Sequence, residues 1–337
     1  MRNFIISDLH GNGYIYDSVL NYLQNELEYG NDDITLYING DLIDRGLDSG
    51  SMLVDLYERV TNNIGIKICL LGGNHEHLMY HAYLKSRDKN LFDVNNSSMS
   101  NDWINYNAGF TTSRYLLKYL SIDDIDKLMD YISNLDVYHI FDEKINDKNI
   151  LLTHACFVMD MLKRKPIKIN EDLPRIVVAL YTRKEGFNTR TKLGNDNFFT
   201  IVGHTPIYDE CGYSYDRDDN ILNIDGASAL FGFYNTNYLY KRKYTDEDII
   251  NVNIPFSEYD EDVLKDLNDS SHSPLVEILD NKLRILTFNY KNEIIQGNYF
   301  EDGISIPIDN NELNSYRKYL NESKNTKKRV RLYDKVI

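Results

Sequence analysis

The chain has 337 residues, 42% hydrophobic and 12% aromatic, enough for one large domain or two modest ones around a sizeable core. Its 37 Lys and Arg stand against 52 Asp and Glu, and the formal net charge of -15 argues against nucleic acid or an anionic membrane as a partner. No apolar stretch approaches the ~20 residues of a bilayer span. Cys69, Cys156 and Cys211 are an odd number without a Cys-x-x-Cys pair, so neither a disulfide framework nor a structural zinc knuckle is expected. The first polar cluster begins at Asp8, which leaves no room for a leader, and the expected location is the cytoplasm with reduced thiols.

In chain order, residues 4–7, 34–39 and 66–71 are short isoleucine-rich runs bounded by polar or turn residues, the pattern of buried strands. Between them, Val19, Leu20, Leu23 and Leu27, and then Met52, Leu53, Leu56 and Val60, fall on single helical faces. The order β-α-β-α-β with right-handed crossovers makes the three strands parallel, so their carboxyl ends share one edge. Residues 99–135 read as helical again, with Leu116, Leu117 and Leu120 followed by Ile125, Leu128, Met129 and Ile132. Apolar runs return at 137–141, 150–153, 198–202, 221–224, 276–279 and 283–288, with Asp280-Asn281-Lys282 as a hairpin turn. The expected fold is α/β: an αββα sandwich of two mixed β-sheets flanked by helices.

Four segments follow from this reading: a core over 1–231, an acidic excursion over 232–273, a returning hairpin and strand region over 274–308, and a C-terminal helix with a basic tail over 309–337. Within 245–269 nine acidic residues face only Lys265, the balance of a solvated segment, with Ile249, Ile250 and Phe256 as its anchors. Lys324 to Arg331 carries five basic residues and reads as a solvated tail or an arm over the acidic surface.

Polar clusters stand where the apolar runs end. Asp8-Leu9-His10-Gly11, Gly40-Asp41-Leu42-Ile43-Asp44-Arg45-Gly46 and Gly72-Gly73-Asn74-His75-Glu76 follow the first three, with 33 residues from Asp8 to Asp41 and 33 from Asp41 to Asn74. Asp8 and His10 project to the same side of extended backbone. His154 and His204 each follow a later run, so five strand ends supply six N/O donors: Asp8, His10, Asp41, Asn74, His154 and His204. Without a thiolate, that set suits two first-row divalent ions, manganese first with iron or zinc as alternatives, with Asp41 in the middle as the natural bridge. Two such ions clamp the attacking and leaving oxygens of phosphoryl hydrolysis. A lone strand-end histidine such as His139 is ordinarily structural, and an Asp-Arg pair ordinarily a surface ion pair; the coincidence of four strand-end histidines with both aspartates and the asparagine outweighs those readings together. His75, beside Asn74, has the place of an acid that protonates a leaving alkoxide, Asp44 that of the carboxylate behind it, and Arg45 that of a bidentate phosphate ligand. The structural alternative has Arg45 capping the turn over a packed His75.

Taken in order, Asp8-x-His10-Gly11, Gly40-Asp41-x-x-Asp44-Arg45-Gly46, Gly73-Asn74-His75-Glu76, His154 and Gly203-His204 resemble the calcineurin-like metallophosphoesterases, in the bacterial and phage form of the phosphoprotein phosphatase superfamily. The motifs cover residues 8–204, with weaker similarity through Ile224-Asp225-Gly226-Ala227; the last hundred residues carry no signature. The resemblance implies that Asp8, His10 and Asp41 hold one metal and that Asp41, Asn74, His154 and His204 hold the other. It implies His75 as general acid backed by Asp44, with Arg45 and Asn74 on the phosphate. It also implies a second phosphate arginine before the last metal histidine, and Leu180-Tyr181-Thr182-Arg183 makes that Arg183 rather than Arg175 or Arg190. Trp103 to Thr111 is similar to a Trp-x-x-Asn-Gly-Gly stretch near the site mouth. Ala155-Cys156 departs from the small residues usual after the histidine, which puts Cys156 near the metals, and Asp225 meets Gly226 directly where a threonine often intervenes. The implied activity is Ser/Thr phosphatase-like hydrolysis of a phosphoprotein or small phosphoester substrate; diadenosine tetraphosphate hydrolysis is the rival, with Glu76 the discriminating residue, and a catalytically silent interaction module the alternative of another class. The sequence leaves the oligomeric state open.

Overall fold

The computed structural model describes residues 1–29, 32–87, 91–93, 95, 97–156, 167–171, 173–183, 197–209, 211–234 and 259–326, with backbone alone at 29, 173–175 and 322–326. Strands β1 (Arg2–Ile6), β2 (Ile34–Asn39) and β3 (Lys67–Leu71) are parallel neighbours, connected through α1 (Gly13–Tyr29) and α2 (Ser49–Asn62). Period-two alternation gives each strand two apolar faces with different partners. Phe4, Ile6 and Ile38 share a core cluster with Val19, Leu23 and Leu53 of the helices, whereas Ile5, Tyr37 and Leu71 join a cluster with the second sheet. After β3 the chain runs through α3 (Asn74–Ser86), α4 (Ser98–Asn101), a π-helical turn (Asp102–Tyr106), α5 (Phe110–Tyr119) and α6 (Ile122–Ser133). Leu116, Ile125, Leu128, Met129 and Ile132 enter the helical side of the core, as their spacing requires.

The second sheet holds β4 (Tyr138–Ile145), β5 (Lys148–Thr153), β6 (Phe198–Val202), β7 (Ser214–Asp216) and β8 (Ile221–Asn223) in the order β4-β5-β6-β8-β7. Here β5, β6 and β8 are parallel and the outer two antiparallel. Ile150, Leu152 and Ile201 pack toward Ile5 of the first sheet; Leu151, on the opposite face, packs with Ile176, Ala179 and Leu180 of α7 (Leu173–Tyr181). Helix, sheet, sheet and helix layers result, the expected αββα sandwich of two mixed sheets.

The first sheet is completed by α8 (Glu261–Ser270) leading into β9 (His272–Leu279), then β10 (Lys282–Asn289), β11 (Ile294–Glu301) and β12 (Ile304–Pro307), all antiparallel, before α9 (Asn310–Thr326) returns to the helical side. Asn281 turns the β9–β10 hairpin at a left-handed φ of 56°. Among the described residues no helix is long and apolar enough to cross a membrane. Ile249, Ile250, Phe256 and the basic tail side chains lie outside the described residues.

The trailing part of the 232–273 stretch differs from a solvated excursion. It forms α8, and β9 begins at His272 rather than Val276. Leu267 is fully buried in a cluster with Phe231 and Tyr290, joined by half-buried Val263 and Leu264. Those three positions make one narrow helical stripe, and the surrounding acidic residues hid it from a charge count. Leu267→Ala is expected to cost about 2–5 kcal/mol of unfolding free energy in a urea titration; a loss below about 0.5 kcal/mol would show that α8 is not part of the packed body.

Candidate metal centre

Five strand ends converge at one edge of the sandwich. β1 delivers Asp8 and His10, β2 Asp41, and β3 Asn74 at the start of α3; β5 and β6 of the other sheet are followed by His154 and His204. The sheets are tied at this edge by Asn39, whose carbonyl accepts from His154 Nδ1 at 2.8 Å and whose amide donates to the Thr153 carbonyl at 3.0 Å.

The connecting backbone is strained. Asp8, His10, Asp41, Asp44, Arg45 and His204 all have left-handed φ, between 44° and 72°. Such a conformation costs a non-glycine residue on the order of 1–2 kcal/mol, and it persists where neighbouring contacts determine it. The contacts are local: His10 N donates to the Asp41 carbonyl at 2.9 Å, and Gly46 N to the His10 carbonyl at 3.0 Å. A Cβ at Gly73 would fall 2.3 Å from both Asp41 N and Asp41 Oδ1, so only glycine lets Asp41 approach the start of α3.

Two groups of donor atoms lie within 4.8 Å of one another, His10 with Asp41 and His75, and Asp41 with His154 and His204; all of these residues are buried. Asp41 belongs to both. Its Oδ2 is 3.4 Å from His10 Nε2 and 3.8 Å from His75 Nε2, while Oδ1 is 3.4 Å from His154 Nε2. Asn74 Oδ1 is 3.1 Å from His154 Nε2. Asp8 joins neither group: its carboxylate accepts from Ser7 Oγ at 2.5 Å and from His204 N–H at 3.1 Å. It still acts on the centre through its charge, beside His154 and Asp41.

The electrostatics suit a cation. Burial resists ionisation of Asp41, yet His154 and His75 prevail and hold its carboxyl well below the usual range. Burial likewise opposes charge on His154, but the Asp41 carboxylate pushes its pKa up to about 10, so His154 gives up its Nε2 proton when that nitrogen binds a metal. His10, driven down by burial and then by Arg45, and His204, driven down to about 3 by burial and then by His154, are neutral electron-pair donors. His10 Nδ1 faces the Ile43 carbonyl at 3.1 Å and His154 Nδ1 the Asn39 carbonyl; a carbonyl only accepts, so Nδ1 carries the hydrogen and each Nε2 is directed to the centre. Burial pushes Asp8 up to about 6 and, helped by Asp8, raises Asp225 well above the carboxylate range. Buried carboxylates and neutral imidazoles without thiolate are a donor set for divalent metal.

Beside these groups, His75 Nδ1 donates to Asp44 Oδ2 at 2.7 Å. Asp44 is fully buried, and its other partners were not evident from sequence: Trp103 Nε1 donates to Oδ2 at 2.7 Å and Thr112 Oγ1 to Oδ1 at 2.6 Å. Trp103 lies on the π-helical turn, a distortion frequent at functional sites. Arg45 donates to His10 Nε2 at 2.9 Å and to His75 Nε2 at 3.2 Å. Glu76 has a structural place: its carboxylate accepts from Gly73 N and Asp41 N at 2.9 Å and from Leu42 N at 3.0 Å. Its position three residues after Gly73, in the first turn of α3, has the capping-box spacing, a local signal for this structural place.

A cleft of about 300 Å³ opens over the centre, lined by His10, Asp41, Arg45, Asn74, Arg183 and His204, with exposed Tyr208 and Phe233 on its apolar side. Arg183 thus reaches the site; the side chains of Arg175 and Arg190 lie outside the described residues. Cys156 is buried and does not line the cleft, and His139 packs on Tyr37 and Phe141, as a structural histidine does.

The family model for calcineurin-like phosphoesterases matches residues 1–232. No curated protein matches the sequence. Among solved structures, a protein serine/threonine phosphatase from Saccharomyces cerevisiae is similar at 14% identity, covering 86% of this chain and 80% of its own, with a TM-score of 0.47. A cold-active protein-tyrosine phosphatase from a psychrophilic Shewanella gives 16% identity, 89% and 80% coverage and a TM-score of 0.41. A putative diadenosine tetraphosphatase gives 16%, 68% and 84%, with a TM-score of 0.38.

Glu76→Gln replaces one of the two oxygens that accept backbone N–H groups by an NH2 group that cannot. It is expected to lower stability by about 1–3 kcal/mol and to weaken manganese binding measured by calorimetry. Unchanged stability with unchanged manganese binding would remove Glu76 from the support of Asp41.

Proposed function

The chain belongs to the calcineurin-like phosphoesterases, and we propose on that premise that it is a dimetal phosphomonoesterase of the Ser/Thr protein phosphatase type. Family membership and the convergent His and Asp donors make it a metal-dependent phosphoester hydrolase. The observation that carries the finer reading is Asp41, whose two carboxylate oxygens face different donor groups. In this reading His10 and Asp41, with the Asp8 charge beside them, hold one ion, and Asp41, Asn74, His154 and His204 hold the other. Manganese is the first choice, with iron or zinc as alternatives. When bound, such ions supply Lewis acidity toward phosphoester oxygens and lower the pKa of water.

The chain's own side chains do the rest. Arg45 and Arg183 face the cleft from different parts of the chain and clamp the phosphate, with Asn74 in the same lining. Once Arg45, which donates to His75 Nε2 in this structure, turns to the phosphate, a protonated His75 gives its Nε2 hydrogen to the leaving oxygen, and Asp44, fixed by Trp103 and Thr112, holds the ring in the required orientation. An open cleft supports a phosphorylated side chain of a protein as substrate. Exposed Tyr208 and Phe233 favour one further reading, hydrolysis of a dinucleoside polyphosphate such as diadenosine tetraphosphate, with a base stacked on them. The net charge of -15 disfavours nucleic acid as substrate, and free Cys69, Cys156 and Cys211 fit the cytoplasm.

With manganese present, hydrolysis of 4-nitrophenyl phosphate is expected to be lost on chelation and in Asp41→Asn; survival of either treatment contradicts the dimetal reading. His75→Asn is expected to slow alkyl phosphates by about 10²–10⁴ and aryl phosphates much less. Equal loss on both would take the acid role away from His75. Rates on a phosphoserine peptide, a phosphotyrosine peptide and diadenosine tetraphosphate, measured side by side under manganese, decide the substrate: preference for the dinucleotide overturns the phosphoprotein reading.

A further inference from the structure

Two more histidines of α3 and a tyrosine of α7 form a connected chain outside the donor groups. His81 Nε2 lies 3.0 Å from His77 Nε2, His77 Nδ1 lies 2.8 Å from the Tyr181 hydroxyl, and that hydroxyl lies 3.3 Å from the backbone carbonyl of Asn74. His77 is 2% exposed, and His81 is half-buried at the outer end.

The direction of the chain follows from its inner end. A carbonyl only accepts, so Tyr181 gives its single hydrogen to Asn74. The hydroxyl oxygen must then accept from His77 Nδ1. A neutral imidazole has one N–H, so His77 Nε2 is an acceptor and His81 Nε2 is the donor to it. The chain ends on a peptide carbonyl, which takes no proton at neutral pH, so it orients groups and carries no proton into the site.

The groups it orients are those of the cleft. Tyr181 is the last residue of α7, and Arg183 follows two positions later with its side chain in the cleft. Two residues of chain span at most about 7 Å, so a bond that fixes Tyr181 on Asn74 also limits where Arg183 can reach. We propose that Tyr181 is a positioning residue that sets Arg183 and Asn74 relative to each other around the substrate phosphate, and that His81, through His77, fixes the direction of its hydroxyl bond. This rests on reading the cleft as a phosphate site. The edge-to-face contact between the Tyr181 and His77 rings, with centroids 5.6 Å apart, does not need the hydroxyl, so phenylalanine isolates the hydrogen bond.

The test uses the manganese-loaded full chain with inorganic phosphate as probe, read by calorimetry, beside the KM for 4-nitrophenyl phosphate. In Tyr181→Phe the phosphate Kd and the KM are expected to rise together about fivefold, with kcat and manganese content held. His81→Leu is expected to reproduce that loss, whereas His81→Gln, whose amide still donates, restores wild-type values. In nitrogen-15 spectra of the protein without added metal, His77 is expected as the Nδ1–H tautomer and to become Nε2–H in His81→Leu. An unchanged phosphate Kd in Tyr181→Phe, equal loss in both His81 variants, or an Nε2–H tautomer in the unaltered chain overturns the proposal. If the unaltered protein binds phosphate without turning over any phosphoester, the hydrolase reading fails while the Kd comparison still judges Tyr181.

Discussion

The carboxylate of Asp41 is the contact on which the rest of this structure depends. One oxygen faces His10 and His75 and the other faces His154, so a single side chain joins donors from two sheets. Placing it requires a left-handed φ of 48°, a glycine at position 73 to admit it, and a hydrogen bond of 3.0 Å from His75 N to Oδ1. The parallel order of β1, β2 and β3 brings those requirements together, because their carboxyl ends share an edge.

Buried carboxylates at this edge divide by what surrounds their oxygens. Those of Glu76 are taken by three backbone N–H groups, and those of Asp44 by Thr112, Trp103 and His75. With their lone pairs occupied, these two residues fix backbone and ring orientation. Asp41 accepts a single backbone N–H, at Oδ1, and points both oxygens toward imidazole edges, leaving lone pairs for a cation. Asp8 stands between: it is buried beside the centre, yet its oxygens are engaged by Ser7 and by the backbone of His204. Equal burial thus yields different chemistry, set by the donors that neighbouring elements supply.

The sandwich was legible in the sequence because β1, β2 and β3 are short, largely buried and separated by helices of clear periodicity, and β5 and β6 are short apolar runs as well. The convergence of Asp41, His154 and His204 was legible for the same reason, since each lies within two residues of a strand end. Long-range side-chain partners were not. Trp103 and Thr112 reach Asp44 from helical segments about sixty positions away, and no local pattern announces such a contact. The stripe of Val263, Leu264 and Leu267 was masked by the acidic residues that share its helix, although burial of three apolar side chains is enough to dock it. Tyr181 sat inside a motif valued for Arg183 alone, and its contacts with His77 and Asn74 emerge only once α7 lies beside α3.

The central claim is that Asp41 is shared by two metal positions, and electron paramagnetic resonance of the manganese-loaded protein tests it most directly. The account predicts two ions per chain with the multiline spectrum of an exchange-coupled pair, and loss of that coupling in Asp41→Asn. A single ion per chain, two uncoupled ions, or a coupled pair that persists in Asp41→Asn would contradict it.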